Sequence, residues 1–305
     1  MKKGFVNSRL HTNITTQSTL GVPDRVLDRR RAIGMLLVEE GRLATGDVDR
    51  ILKFAVERKL RFGDAGVQLD LLKPEDVLFA LARQFNNPVL PRGGPDGVSD
   101  DVIAAYNPQC ALVEPLRALR SQLMLRWYPE SRRRVLSVIS PERGEGRSWL
   151  VANLGTAFSQ IGVRTLIIDA DLRHPRQRQL FNLNSQGGLC ELLTGREGGD
   201  VARRIHPQLR LFVVGAGNLP PNPQELLSRP MFEVVVSRFA EQFDLVLLDT
   251  PAASESADAQ IIAAHGGSAL LLARQNRTRR EQMRETMKSL QQIGVNIVGS
   301  IINEH

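Results

Sequence analysis

The chain has 305 residues, of which 42% are apolar, enough for one large core and a smaller domain beside it. Its net charge of +7 points to an acidic partner such as a nucleotide, a headgroup or a nucleic acid, and is silent on fold. Cys110 and Cys190 stand far apart outside any CxxC or His-rich setting, and no run approaches the roughly 18 apolar residues that span a bilayer, so the expectation is a cytoplasmic protein without disulfides, zinc or a membrane helix.

Residues 1–28 are polar, rich in Ser, Thr and Asn, and read as a flexible tail. Residues 29–91 turn helical and carry a weak internal repeat. Gly34, Val38, Leu43, Asp47, Val48 and Leu52 recur in register at Gly63, Val67, Leu72, Asp76, Val77 and Leu81. Each copy reads as a short apolar helix, a turn and an amphipathic helix, opened by Thr45 as N-cap in one copy and by Pro74 at the first helical position in the other. The Pro, Gly and Asp density that follows marks residues 92–107 as a linker, leaving 108–305 as the main domain.

Within 108–305, apolar strands alternate with helices. The strands are expected at Val135–Ile139, Thr165–Ile168, Leu209–Val214, Leu245–Leu248, Ala269–Ala273 and Ile297–Ile301. Helices are expected from Ser148, around Pro230–Gln242 and over Arg279–Ile293. Continuous apolar strands of this kind predict a mostly parallel, doubly wound α/β sheet covered on both faces, preceded by the small helical domain.

The first strand runs into Pro141-Glu-Arg-Gly-Glu-Gly-Arg-Ser148, where Gly144 and Gly146 let successive N–H groups face a polyphosphate at a helix N-terminus. The familiar GxxxxGK[ST] form would place Gly at 141 and Lys at 147; this chain has Pro141 and Arg147. Arg keeps a fixed charge and a bidentate fork, with a different reach. Asp169 and Asp171 follow one apolar strand and Asp249 another, at the strand ends where α/β sheets present ligand groups. Singly, such acids are usually helix caps; beside a phosphate loop, three of them suit a hydrated Mg²⁺.

Ser-Pro-Glu-Arg-Gly-Glu-Gly-Arg-Ser, LIIDADLRHP and LVLLDTPAA resemble the Walker A, A′ and B motifs of bacterial tyrosine kinases, and PPNPQELL at Pro220–Leu227 resembles another segment of that P-loop NTPase family. The resemblance covers 108–303 and is similar above all to the chain-length-determinant tyrosine kinases of EpsG type. It implies ATP and Mg²⁺ as cofactors, with nucleotide contacts from Arg143, Gly144, Glu145, Gly146, Arg147, Ser148 and Trp149, and from Asn303 at the adenine. Ser148, Asp171 and Asp249 would hold the metal. Arg147 would hold the β- and γ-phosphates beside Asp171, with Asp169 accepting the tyrosyl proton. It further implies a role in exopolysaccharide synthesis with a membrane-embedded co-polymerase as partner, and peripheral recruitment to the inner membrane. Glu114, Arg117 and Arg120 are similar to that family's ExxRxxR oligomerisation motif, although charges at this spacing also suit a solvated helix face.

The helical domain resembles the N-terminal domain of type II secretion ATPases, some of which bind cyclic di-GMP through Arg-Leu-Gly. Here Arg61-Phe62-Gly63 keeps the Arg and Ala32-Ile33-Gly34 does not, which makes Arg61 the candidate. Tyr106 and Tyr128 are the only tyrosines, so the family's usual C-terminal tyrosine cluster has no counterpart in this sequence. Two other readings stand beside the kinase: a partitioning or positioning ATPase of the ParA/MinD type, and a nucleotide-sensing scaffold. The former usually starts its loop with KGG, and Pro141-Glu142-Arg143 offers no lysine, which ranks it second and argues against a nucleic-acid partner.

Overall fold

The computed structural model describes residues 33–84, 89–90, 97–107, 110–131, 134–184, 187–196 and 201–304. The tail read over 1–28, Ala32 of the candidate motif and residues 92–96 of the expected linker lie outside them. The chain divides into two compact units, Met1–Leu81 and Ala82–His305.

The first unit holds α1 over residues 33–39, α2 (Thr45–Glu57), α3 (Phe62–Gln68) and most of α4 (Pro74–Gln84). Its core gathers Leu37, Leu43, Val48, Ile51, Phe62 and Leu72. The repeat seen in the sequence is a repeat of packing. A Cβ on Gly34 would stand 2.8 Å from Val48 Cγ1, and one on Gly63 2.3 Å from Val77 Cγ1. Glycine at both places lets one helix lie against the valine of the next. Arg42 ties the copies together with an ion pair to Asp76 at 2.7 Å and its guanidinium 4.2 Å from the Phe79 ring. Thr45 is not the N-cap: Ala44, extended at φ −75°, ψ 145°, takes that place without a side-chain hydrogen bond, and Asp47 in the first turn complements the helix dipole.

In the second unit, seven described strands form one sheet in the order β3-β4-β2-β5-β1-β6-β7. They are β1 (Val135–Ile139), β2 (Thr165–Asp169), β3 (Arg203–Arg204), β4 (Leu211–Val214), β5 (Leu245–Asp249), β6 (Ser268–Arg274) and β7 (Asn296–Asn303). All neighbours run parallel except the short edge pair β3–β4. β1, β2 and β5 are buried along their whole length, which is why they read as unbroken apolar runs. One face of the sheet sends Leu136, Val138, Ile167 and Leu247 into a core with α6 (Val113–Arg126) and α7 (Arg147–Gln160). The other face sends Val135, Leu166, Ile168 and Leu248 towards α9 (Leu189–Thr194), α10 (Pro223–Leu227), α11 (Pro230–Gln242) and α12 (Asp258–Gly266). The short α8 (Gln177–Leu180) follows β2, and α13 (Arg280–Gln292) precedes β7.

Part of the stretch read as a linker packs into this unit. Val98, Val102, Ala105 and Tyr106 are buried, and α5 (Ile103–Tyr106) is held on α7 by its own backbone. The Ala104 N–H donates to Asn153 Oδ1 at 3.0 Å, and Gln160 Nε2 donates to the Ala104 carbonyl at 2.7 Å. A composition rich in turn residues hid these contacts because backbone groups make them.

Candidate nucleotide site

The carboxyl ends of β1, β2 and β5 lie side by side, with Val138 opposite Asp249 and Asp169 opposite Asp249 in the register. The central strands therefore deliver the loop and two of the acids to one edge of the sheet. The loop turns through Gly144 at φ +76° and Gly146 at φ +102°, a left-handed backbone open to glycine, and Gly146 is the N-cap of α7. The helix N-terminus and its free N–H groups thus face the crevice at the strand ends.

Glu145 is buried and builds the loop from within. Its carboxylate accepts from the Glu142 N–H at 2.9 Å and from the Thr278 hydroxyl. Asn303 at the end of β7 donates from Nδ2 to the Glu145 carbonyl at 2.9 Å, and Arg274 donates to the Gly144 carbonyl at 3.1 Å. Arg147 is buried, and its fork engages protein acceptors: Nε donates to the Thr250 carbonyl at 2.8 Å, Nη1 to the Glu142 carbonyl at 2.8 Å and to the Ser140 hydroxyl.

The acids are held in distinct ways. Asp169 Oδ2 accepts the N–H groups of Arg176 at 3.0 Å and Gln177 at 2.9 Å, while Asp171 Oδ1 accepts those of Arg173 at 3.1 Å and His174 at 2.8 Å. Both therefore also do the work of turn and helix capping. Arg173 ties the same turn to buried Asp258 at 2.8 Å. Gln177 joins all the parts, donating from Nε2 to Asp249 Oδ2 at 2.7 Å and to the Ser148 carbonyl at 3.1 Å. No spacing rule singled Gln177 out; its role follows from one residue whose side chain reaches β5 and α7 while its backbone N–H reaches the end of β2.

Burial raises the Asp169 pKa well above the carboxylate range, with the Asp249 charge adding to it. Burial pushes Asp249 up to about 6, opposed by the Gln177 amide and the Ser148 hydroxyl. Asp169 Oδ1 and Asp249 Oδ1 are buried and have no hydrogen-bond partner within the protein, so each carboxylate keeps one oxygen for an outside donor or cation.

Two clefts meet at Gly146 and Trp149. One, of about 310 Å³, is lined by Arg143, Gly144, Arg147, Ser148, Asp171 and Arg176, with Asp101 and His174 at its walls. The other, of about 260 Å³, is apolar and lined by Leu112, Leu116, Leu119, Leu272, Ile301 and Asn303. The α6 leucines that form it were not anticipated, because the motif reading of that helix attended to its charges. Of those charges, Glu114 and Arg117 pair at 3.5 Å near the surface, and Arg120, within reach of both their charges, donates to the Ala157 carbonyl at 2.8 Å.

Among the described residues no group of three or more His, Cys, Asp and Glu side chains could hold a metal ion by itself. Mg²⁺ does not need such a cage, since it keeps waters and takes one or two carboxylates beside phosphate oxygens. The two orphaned carboxylate oxygens, Ser148 and the polar cleft fit that demand. Arg61 is the exposed N-cap residue of α3, and neither its setting nor the relatives support cyclic di-GMP there.

A parallel sheet with a glycine loop leading into a helix and acids at the neighbouring strand ends is the architecture of P-loop NTPases. The cell-division ATPase MinD of Pyrococcus furiosus shares it at a TM-score of 0.50 and 22% identity, covering 56% of this chain and 72% of that one. The homologues of the chain are bacterial tyrosine kinases. The tyrosine-protein kinase ptk of Acinetobacter johnsonii is 33% identical over 203 residues, 67% of this chain, and etk of Escherichia coli K12 is 31% identical over 201 residues. The solved kinase domain of the Escherichia coli tyrosine kinase ETK matches with a TM-score of 0.64 and 29% identity, covering 70% of this chain and 82% of that one. The chain spans only 28% of the length of these two relatives. No family model matches it. Among the described residues no helix is long and apolar enough to cross a membrane.

Proposed function

We propose that the chain binds Mg·ATP and transfers the γ-phosphoryl group to tyrosine, as a kinase that regulates exopolysaccharide assembly. The observation that carries this reading is the pair of clefts meeting at Gly146 and Trp149, one apolar and one lined by the loop, Asp171 and Arg176, which suits the two halves of a nucleotide. In it, adenine takes the apolar cleft beside Asn303, and the N–H groups from Arg143 to Trp149 take the phosphates. Ser148, Asp171 and Asp249 hold Mg²⁺, which when bound neutralises phosphate charge. Asp169, with its raised pKa and an oxygen left unpartnered, accepts the proton of the attacking tyrosyl hydroxyl as its oxygen bonds to the γ-phosphorus and the bond to ADP breaks.

The acceptor in this reading is another chain. Tyr106 is buried with its hydroxyl donating to the Val98 carbonyl, and the Tyr128 hydroxyl accepts from Arg134 at 3.3 Å. A membrane-embedded polysaccharide co-polymerase is the proposed partner, and it would draw the chain to the inner membrane as the EpsG-type resemblance implies. Glu114, Arg117 and Arg120 remain the proposed oligomer contacts, and the helical unit a docking module like that of secretion ATPases.

The test is incubation with Mg²⁺ and γ-labelled ATP, with and without the partner's cytoplasmic segment. Label on tyrosine is expected. Label released only as free phosphate would leave an ATPase, and the engagement of Arg147 by protein acceptors favours the nucleotide-sensing scaffold as the reading to fall back on.

A further inference from the structure

Arg147 stands where phosphate loops usually place a lysine, but its geometry is that of a brace. Nε reaches the carbonyl of Thr250, the residue after Asp249, while Nη1 reaches the Glu142 carbonyl and the Ser140 hydroxyl within the loop. A planar fork can serve the two anchor points together; a lysine ammonium, a single nitrogen, cannot span them in the same way. Pro141, with its fixed φ and no N–H, stiffens the start of the same loop. A phosphate cleft still needs positive charge. Arg143 and Arg176 both line it, and the turn that carries Arg176 is pinned where its own N–H and that of Gln177 donate to Asp169 Oδ2 at 3.0 and 2.9 Å.

We infer that Arg147 is a positioning residue that braces the loop against the end of β5, and that Arg176, on the turn after β2, supplies the cation that binds the polyphosphate. This rests on the proposed ATP site and assigns its charge to a residue outside the loop. The two departures from the usual loop, Pro141 and Arg147, then form one device: a stiffer loop held shut by a forked side chain, with the phosphate cation relocated to the neighbouring turn.

The experiment measures ATP and ADP affinity by calorimetry on the whole chain with Mg²⁺, together with the melting temperature of the nucleotide-free protein. Arg176→Ala is expected to weaken ATP about tenfold or more, the size of one lost charge-assisted hydrogen bond, with ATP hit harder than ADP, no change in melting temperature, and partial recovery in Arg176→Lys. Arg147→Lys is expected to lower the nucleotide-free melting temperature while leaving the ratio of ATP to ADP affinity within about twofold. ATP binding by Arg176→Ala within twofold of the parent would overturn the assignment, as would an Arg147→Lys protein that melts normally yet loses discrimination between ATP and ADP. A parent protein that binds neither nucleotide would instead sink the proposed function itself.

Discussion

The two units of this chain bury different chemistry. Every buried side chain described in the helical unit is apolar, from Leu37 to Ala80, whereas the α/β unit buries Glu145, Arg147, Asp169, Asp171, Asp249 and Asp258. The first unit is a packing problem solved by glycines that let helices approach. The second accepts the cost of desolvated charge, concentrates it at the ends of three central strands, and leaves two carboxylate oxygens unpartnered there. Buried charge without a structural partner separates a binding site from a scaffold, and it does so here within one chain.

The contrast can be broken most forcefully at Asp169. Asp169→Asn keeps an acceptor for the Arg176 and Gln177 N–H groups but removes the base, so tyrosine transfer should fall by about 100- to 10,000-fold in a labelled-ATP assay with the protein still folded. A rate within tenfold of the parent would remove Asp169 from the chemistry.

Asp249→Asn should lower transfer by at least about 30-fold, since it removes a metal-facing charge. The melting temperature of the nucleotide-free variant should nevertheless stay level or rise, because a buried ionised carboxylate is unfavourable. A fall in both would mean that Asp249 is chiefly a structural acceptor for Gln177.

In the helical unit the largest effect should come from Gly63→Ala. The new methyl meets Val77 Cγ1 at 2.3 Å, and overpacking of this kind costs about 1–3 kcal/mol, partly offset by better helix propensity. Chemical denaturation should show a weakened first unit while ATP affinity in the second is unchanged. Altered ATP affinity would mean that the two units are coupled.

The pH dependence follows from Asp249, whose folded pKa of about 6 lies above its unfolded value. The folded state then binds a proton more readily than the unfolded one. This group's contribution to nucleotide-free stability therefore falls as pH rises from about 4 to about 6 and is level above that. Mg·ATP binding needs the ionised form and should weaken as pH drops below about 6; Asp249→Asn should flatten both profiles. The smallest effect belongs to Glu114→Ala, whose surface pair with Arg117 should contribute no more than about 0.5 kcal/mol to chain stability. A changed oligomer size in sedimentation at an unchanged melting temperature would place the residue between subunits.

Much of the α/β unit could be read from the sequence because its strands are buried on both faces and leave unbroken apolar runs. β1 spans the expected Val135–Ile139, and β2 and β5 differ from expectation only by including their terminal aspartates. β3, with two exposed arginines, and α12 carried no such signal. Glycine spacing, Ser148 and Asp171 pointed to residues that line one cleft, the proposed nucleotide site, because phosphate binding by a backbone needs glycine at fixed places. What only the tertiary structure decided is which groups complete the site. Gln177 joins two strands and a helix, the α6 leucines wall an apolar cleft, and residues 98–106 pack on α7 through backbone hydrogen bonds. Arg147 shows the limit most plainly. Its charge is written in the sequence, but where a flexible, forked side chain directs that charge depends on a carbonyl more than 100 residues away, at Thr250.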